Sequence, residues 1–242
     1  MTANLNYKIF GDTSILIEWE PVIAKDVLRD VLAFISKIEA TYISGIQVTT
    51  AYNSLLIVFD DFKVNLSKEI ENLKQIYLQK SKKIHSNNTL WKIPVCYEDE
   101  FGIDLKEIAA EKNRTVNEII EVHTKTVYTV YFIGFLPGFL YLGGLPEEIT
   151  MPRKATPRLK VEKGSVAIGG NQTGVYPVES PGGWNIIGNS PLTFFDVTKD
   201  VPCFAKAGDA IQFYSVPKKK YNDIKTLVNA GVFQIESEDY NG

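Results

Sequence analysis

The stretch GFLPGFLYLGGLP, residues 134–146, closes a run without a charged side chain that begins at position 126. Such a run is long enough to cross a bilayer, and Gly134 and Gly138 have the spacing found between packed membrane helices. A helix through it would carry Pro137 inside, Pro146 at its end, and the glycines 134, 138, 143 and 144. An interior proline costs a helix roughly 3 kcal/mol and each glycine about 1 kcal/mol, so the sum argues against helix and against a membrane span. The residues before Gly134 read TVYTVYFI, β-branched and aromatic, and Pro137-Gly138 is a turn signal. The run is therefore predicted to be a buried strand leaving into a loop, and the loop, with Phe139 and Tyr141, is expected to line a pocket.

The rest of the chain agrees with a globular reading. Its 242 residues, 45% hydrophobic, with a mean hydropathy of -0.06, supply core for one large domain or two small ones. The opening MTANLNYKIFGD has neither a basic stretch nor the apolar stretch of a secretory leader. Cys96 and Cys203 are far apart and form no CxxC, which predicts core thiols in a reducing cytoplasm rather than a disulfide framework or a zinc site. A net charge of -3 and a pI near 5.6 leave no electrostatic footprint for nucleic acid, and the basic run 218–220 is expected to be a solvated surface turn.

Two segments differ in texture. In the first, TSILIEW (13–19) and SLLIVF (54–59) read as strands. Leu28, Val31, Leu32, Ile35 and Ile38 repeat at helical spacing, as do Leu66, Ile70, Leu73 and Tyr77. A polar stretch, KSKKIHSNNT (80–89), follows as an expected linker. The second segment opens with LWKIPV (90–95), passes through two short helices, one started by a capping box of Thr115 and Glu118, and turns rich in glycine, proline and aromatics. Its runs SVAIGG, GVYPV, WNIIG, LTFFDV and AIQFYSV predict a closed or nearly closed antiparallel barrel. The fold class is thus α+β, with a small α+β domain over 1–88 and a β-barrel domain over 89–242.

The motif search restricts the chemistry: no phosphate loop, GxGxxG, HExxH or GxSxG is present. With His85 and His123 the only histidines, a histidine-rich metal site is excluded, and no metal ligand set is predicted. His85 falls in the linker. His123 ends a helix, where the dipole favours the imidazolium, and the chain there heads into the expected site; a histidine capping the helix is the other reading. PRKATPR (152–158) places Arg153 and Arg158 each after a proline, stiff enough to grip a carboxylate or phosphate. Surface arginines paired with Glu147 and Glu148 are the alternative. In NQTGVYPVESPGGWNIIG (171–188), glycines and prolines hold the backbone open while Gln172, Tyr176, Ser180 and Trp184 offer hydrogen bonds and aromatic walls. A plain barrel also needs such glycine-rich corners.

Together YEDEFGIDL (97–105), GFLPGFLYLGGLP, PRKATPR, GSVAIGGNQTGVYPVESPGGW (164–184) and AGDAIQF (207–213) resemble the KipI-like family, which includes the B subunit of bacterial 5-oxoprolinase and proteins labelled allophanate hydrolase subunit 1. The resemblance is strong over 90–213 and weak before it. It implies a small α+β domain followed by a cyclophilin-like β-barrel. It also implies that His123, Arg153, Arg158, Gln172, Tyr176 and the turn Ser180, Gly182, Gly183, Trp184 line one site. Two positions depart from the family pattern: Asn189 stands where an arginine is usual, and Glu162 where a proline commonly follows the valine.

Two functions follow from the resemblance. The first is a non-autonomous subunit of an ATP-dependent 5-oxoprolinase that opens 5-oxoproline to glutamate together with A-type and C-type subunits. ATP would be used at the level of the complex, Arg153 and Arg158 would hold the carboxylate or a phosphoryl group, and His123 would move protons. The second is a regulator that binds and inhibits a sensor histidine kinase. Allophanate hydrolysis is a weaker third.

Overall fold

The computed structural model describes residues 4–79 and 88–240, and the chain divides into two compact units, Met1–Ser86 and Asn87–Gly242. The expected linker, His85 included, lies outside the described residues except for its last two positions.

The first unit runs β1 (Asn6–Ile9), β2 (Ser14–Glu18), α1 (Lys25–Thr41), β3 (Ile46–Thr50), β4 (Ser54–Phe59) and α2 (Leu66–Leu78), with an antiparallel sheet ordered β1-β2-β4-β3. Alternation along β2 and β4 turns Ile15, Ile17, Leu55, Ile57 and Phe59 inward. The helices cover that face with Val31, Phe34 and Ile38 from α1 and Leu73, Ile76 and Tyr77 from α2. Asn65 caps α2 by accepting from the Lys68 N–H.

The second unit begins with β5 (Asn88–Val95), α3 (Leu105–Glu111), α4 (Val116–Lys125), β6 (Val127–Ile133) and β7 (Leu140–Gly143). It continues with β8 (Arg158–Val161), β9 (Ser165–Gly169), β10 (Gln172–Val175), β11 (Ser180–Gly182), β12 (Asn185–Asn189), β13 (Ala210–Ser215), α5 (Lys218–Asn229) and β14 (Ser237–Tyr240). Eight strands form one sheet in the order β12-β9-β10-β7-β6-β13-β5-β14, and β8 pairs with β11 in a separate two-stranded ribbon. The capping box of Thr115 and Glu118 starts α4.

The uncharged run becomes β6 and β7, an antiparallel hairpin whose connection holds Phe135 at φ 62°. The expected strand is β6, the expected loop is the connection 134–139, and the run then re-enters the sheet as β7. No helix among the described residues is long and apolar enough to cross a membrane.

Three expectations are corrected. The sheet is not wholly antiparallel, because β5 and β13 pair in parallel; parallel neighbours require a long crossover, and the whole of α3 through β12 supplies it. Among the described residues its two flanks meet at the bridge of Cys96 to Asn189, two backbone hydrogen bonds of 2.9 Å, and not in a paired ladder. LTFFDV is irregular chain: it buries Leu192 and Phe194 in the core, and Asp196 turns back to the Pro202 carbonyl. Finally, 218–220 is the first turn of α5, which follows Pro217 and buries Tyr221 and Ile224.

Candidate substrate-binding site

Strand alternation gives the sheet of the second unit two apolar faces. Leu140 and Leu142 of β7, Val166 and Ile168 of β9 and Ile187 of β12 enter the main core. Phe139, Ala167, Trp184 and Ile186 form a second cluster with Val161 and Tyr176, joined by Leu136 and Tyr141. Glycines make this second face flat enough for rings. A Cβ on Gly169 would come within 2.6 Å of the Trp184 ring, and one on Gly182 within 2.3 Å of the Tyr176 hydroxyl.

The rings form a continuous wall. Phe132 stacks on Tyr141 at 4.2 Å between centroids. Phe139 meets Tyr141 at 4.8 Å and stands edge-on to Tyr176 at 5.3 Å and to Trp184 at 5.6 Å. The guanidinium of Arg153, exposed to solvent, lies 5.5 Å over the Trp184 ring. Burial pushes the Tyr141 and Tyr176 hydroxyls up in pKa, and Arg153 opposes the shift at both, so its field covers the wall. Gln172 Oε1 and Asn185 Oδ1 are buried acceptors with no donor among the described residues. Asn185 itself donates to the Pro152 carbonyl at 2.8 Å, beside Arg153.

The two arginines of PRKATPR part company. No carboxylate among the described residues pairs with Arg153. Arg158 Nη2 donates to Asp104 Oδ1 at 2.6 Å, and its Nη1 reaches the Trp184 carbonyl at 3.4 Å. Between them Lys154 faces Asp104 at 3.3 Å and pairs with Glu107. A joint two-arginine grip on one anion is therefore corrected to a single available guanidinium. Pairing with Glu147 or Glu148 does not occur either, since Glu148 takes Arg114. Ser180 lies on β11 with its hydroxyl turned to the Pro181 carbonyl, and Gly183 accepts from the Lys154 N–H at 2.7 Å.

His123 is on the other side of the sheet, in the interior, and fully buried. Thr173 donates to the Ala167 carbonyl at 3.0 Å, so its oxygen receives the His123 Nε2–H at 3.0 Å. Nδ1 is left to accept from the Tyr97 hydroxyl at 2.8 Å. The imidazole also stacks on Phe213 at 4.7 Å. Burial lowers its pKa to about 3. The expected imidazolium is thus corrected: desolvation outweighs the helix dipole, and the ring is neutral. Gln172 and Thr173 are adjacent on β10 yet face opposite sides, which separates His123 from Arg153 by the thickness of the sheet.

Sequence reasoning missed Asp104, Phe132 and Asn185. Asp104 stands in the sequence only as part of YEDEFGIDL (97–105), and the fold alone shows it reaching β12. Beside the wall a cleft of about 240 Å³ is lined by Arg158, Lys160, Glu162, Ser165 and Asn189. Asn189 is committed to structure, donating to the Lys163 carbonyl and accepting from the Tyr221 hydroxyl, both at 2.9 Å. Among the described residues no cluster of His, Cys, Asp and Glu is disposed to hold a metal.

The sheet unit thus carries an exposed arginine over an aromatic wall, and comparison places the chain in a family. Residues 5–205 match the family described as Carboxyltransferase domain, subdomain C and D, and the chain belongs to it. The more particular likeness is to B subunits of 5-oxoprolinase, as the resemblance to the KipI-like family implied. The protein of that name from Bacillus subtilis is 36% identical over 240 residues, 95% of this chain and 100% of its own length. Among solved structures, TTHA0988 superposes with a TM-score of 0.73 at 28% identity over 84% of this chain, which spans 40% of that one. The urea amidolyase of K. lactis gives 0.83 at 21% identity over 99% of this chain and 16% of its own, a likeness of fold alone.

Proposed function

We propose that the chain is the B-type subunit of an ATP-dependent 5-oxoprolinase and that its aromatic wall holds 5-oxoproline. The reading is carried by Arg153, a guanidinium without a carboxylate partner among the described residues, lying over Trp184. The substrate is a five-membered lactam bearing a carboxylate. In this reading its ring lies against Trp184 and Tyr141 and its carboxylate against Arg153, with Gln172 beside them on the same face of β10. Phe139, Tyr176, Gly182 and Gly183 shape the wall, Ser180 belongs to the ribbon beside it, and Arg158 secures the Trp184 backbone.

The residues do not fit a nucleotide triphosphate. Lys154 and Arg158 are neutralised by Asp104 and Glu107, and the glycine-rich turns are filled by the Trp184 and Tyr176 rings. ATP accordingly belongs on an A-type or C-type partner, and no step of its chemistry is assigned to this chain. The free thiols Cys96 and Cys203 accord with a cytoplasmic complex. His123 is assigned to holding Tyr97 and Thr173 together rather than to proton transfer.

The test is steady-state glutamate formation by the chain reconstituted with its A-type and C-type partners. A charge-assisted hydrogen bond is worth roughly 1.5–3 kcal/mol, so Arg153→Ala is expected to raise KM for 5-oxoproline about tenfold or more. Arg153→Lys, which keeps charge but loses the planar fork, falls between. Wild-type KM in both variants overturns the site. Co-purification with a histidine kinase in place of the two partners overturns the function.

A further inference from the structure

We propose that Asp104 is a positioning residue that fixes the anion-binding arginine over the aromatic wall. This rests on the reading above, in which Arg153 takes the substrate carboxylate. Asp104 stands at the N-cap of α3, where an aspartate ordinarily accepts from a backbone N–H of its own helix. Here it makes no such bond. Its side chain, 3% exposed, turns away from α3 toward β12 and the arginine loop. Oδ2 accepts from the Ile186 N–H at 2.6 Å, while the Asp104 N–H donates back to the Ile186 carbonyl at 2.9 Å. Oδ1 accepts from Arg158 at 2.6 Å and faces Lys154 at 3.3 Å.

The two cations bound to this carboxylate also grip the turn that carries the wall. The Lys154 N–H donates to the Gly183 carbonyl at 2.7 Å, and Arg158 reaches the Trp184 carbonyl at 3.4 Å. Arg153 is next to Lys154 in the chain, and Trp184 next to Gly183, so one buried carboxylate sets the guanidinium against the ring. It has a second effect. Asp104, with Glu107 on Lys154, neutralises Lys154 and Arg158 and so leaves Arg153 as the loop's cation available to an anion.

A double-mutant cycle tests this in the reconstituted complex, with 5-oxoproline as the probe. Wild type, Arg153→Ala, Asp104→Asn and the double variant are compared for KM and kcat. Asp104→Asn preserves shape and one acceptor oxygen but removes the charge. It is expected to raise KM about fivefold, with kcat per assembled complex within about twofold, and the double variant is expected to be no worse than Arg153→Ala alone. A merely structural loss lowers the amount of assembled enzyme without moving KM. If Asp104→Asn fails to assemble, Lys154→Met carries the same cycle, since it leaves Asp104 bound to Arg158 and Ile186. A KM raised by Arg153→Ala but not by the partner variant overturns the positioning role and leaves the site reading standing. Multiplicative effects also overturn it, because Asp104 would then act independently of Arg153. If Arg153→Ala leaves KM unchanged, the site reading fails and the positioning role fails with it.

Discussion

At His123 two electrostatic effects oppose each other: the end of α4 favours a positive charge, and complete burial forbids one. Burial wins, with the pKa lowered to about 3. The folded pKa lies below that of a free imidazole, so on acidification the unfolded chain takes up a proton that the folded chain refuses. Stability from this group is complete above about pH 6.5 and is lost as pH falls from there toward 3, on the order of 5 kcal/mol in all. His123→Gln lacks the titration. Its urea midpoint, lower than wild type at pH 7, is therefore expected to decline less steeply between pH 6.5 and 4; parallel curves would refute the assignment. Sequence placed His123 at a helix end but had no means of telling which face of β10 it meets. Arg153 was legible as a stiffened cation, while the loss of Arg158 to Asp104 depends on a contact between positions 54 residues apart.

Among the elements, β9 illustrates how a strand makes room for an aromatic wall. Every residue of β9 is buried, and Gly169 ends the strand beneath the Trp184 ring. Gly169→Ala would force that ring aside; overpacking of this kind costs about 1–3 kcal/mol, read as a lower melting temperature together with a raised KM for 5-oxoproline. Gly134→Ala is the matched control, since its Cβ would approach nothing closer than 3.4 Å, and it is expected to leave both unchanged. The α4 start was readable because a capping box is a local device; Thr115→Ala is expected to cost about 1 kcal/mol in a urea titration. LTFFDV was misread for the opposite reason. Its apolar content is real, but Leu192 and Phe194 plug the core from irregular chain, and hydrophobicity without ladder partners does not make a strand.

For the molecule as a whole, texture alone suggested a small α+β segment followed by a strand-rich one, and in the structure each of the two compact units builds its own core. Texture did not suggest strand order. Periodicity reports which residues face inward, and it is silent on which strand lies beside which, so the parallel pairing of β5 with β13 was invisible. The same whole-chain view sets the expectation for activity. Purified alone, the chain is expected to release no glutamate from 5-oxoproline and ATP, and to do so only with its A-type and C-type partners. Turnover by the single chain would contradict the proposed division of labour.

The pairing of β5 with β13 also sets a timetable for synthesis. Leu90 meets Ala210, and the two are 120 residues apart. At the roughly 5–20 residues per second of a ribosome, β5 waits on the order of ten seconds for its parallel neighbour. Throughout that interval Leu90, Ile93 and Val95, all buried in the finished protein, have neither edge in a ladder, because β14, the other neighbour of β5, is made later still. A nascent chain halted before position 210 is therefore an adhesive intermediate, and β5 is the segment at which a chaperone binding newborn chains would be found.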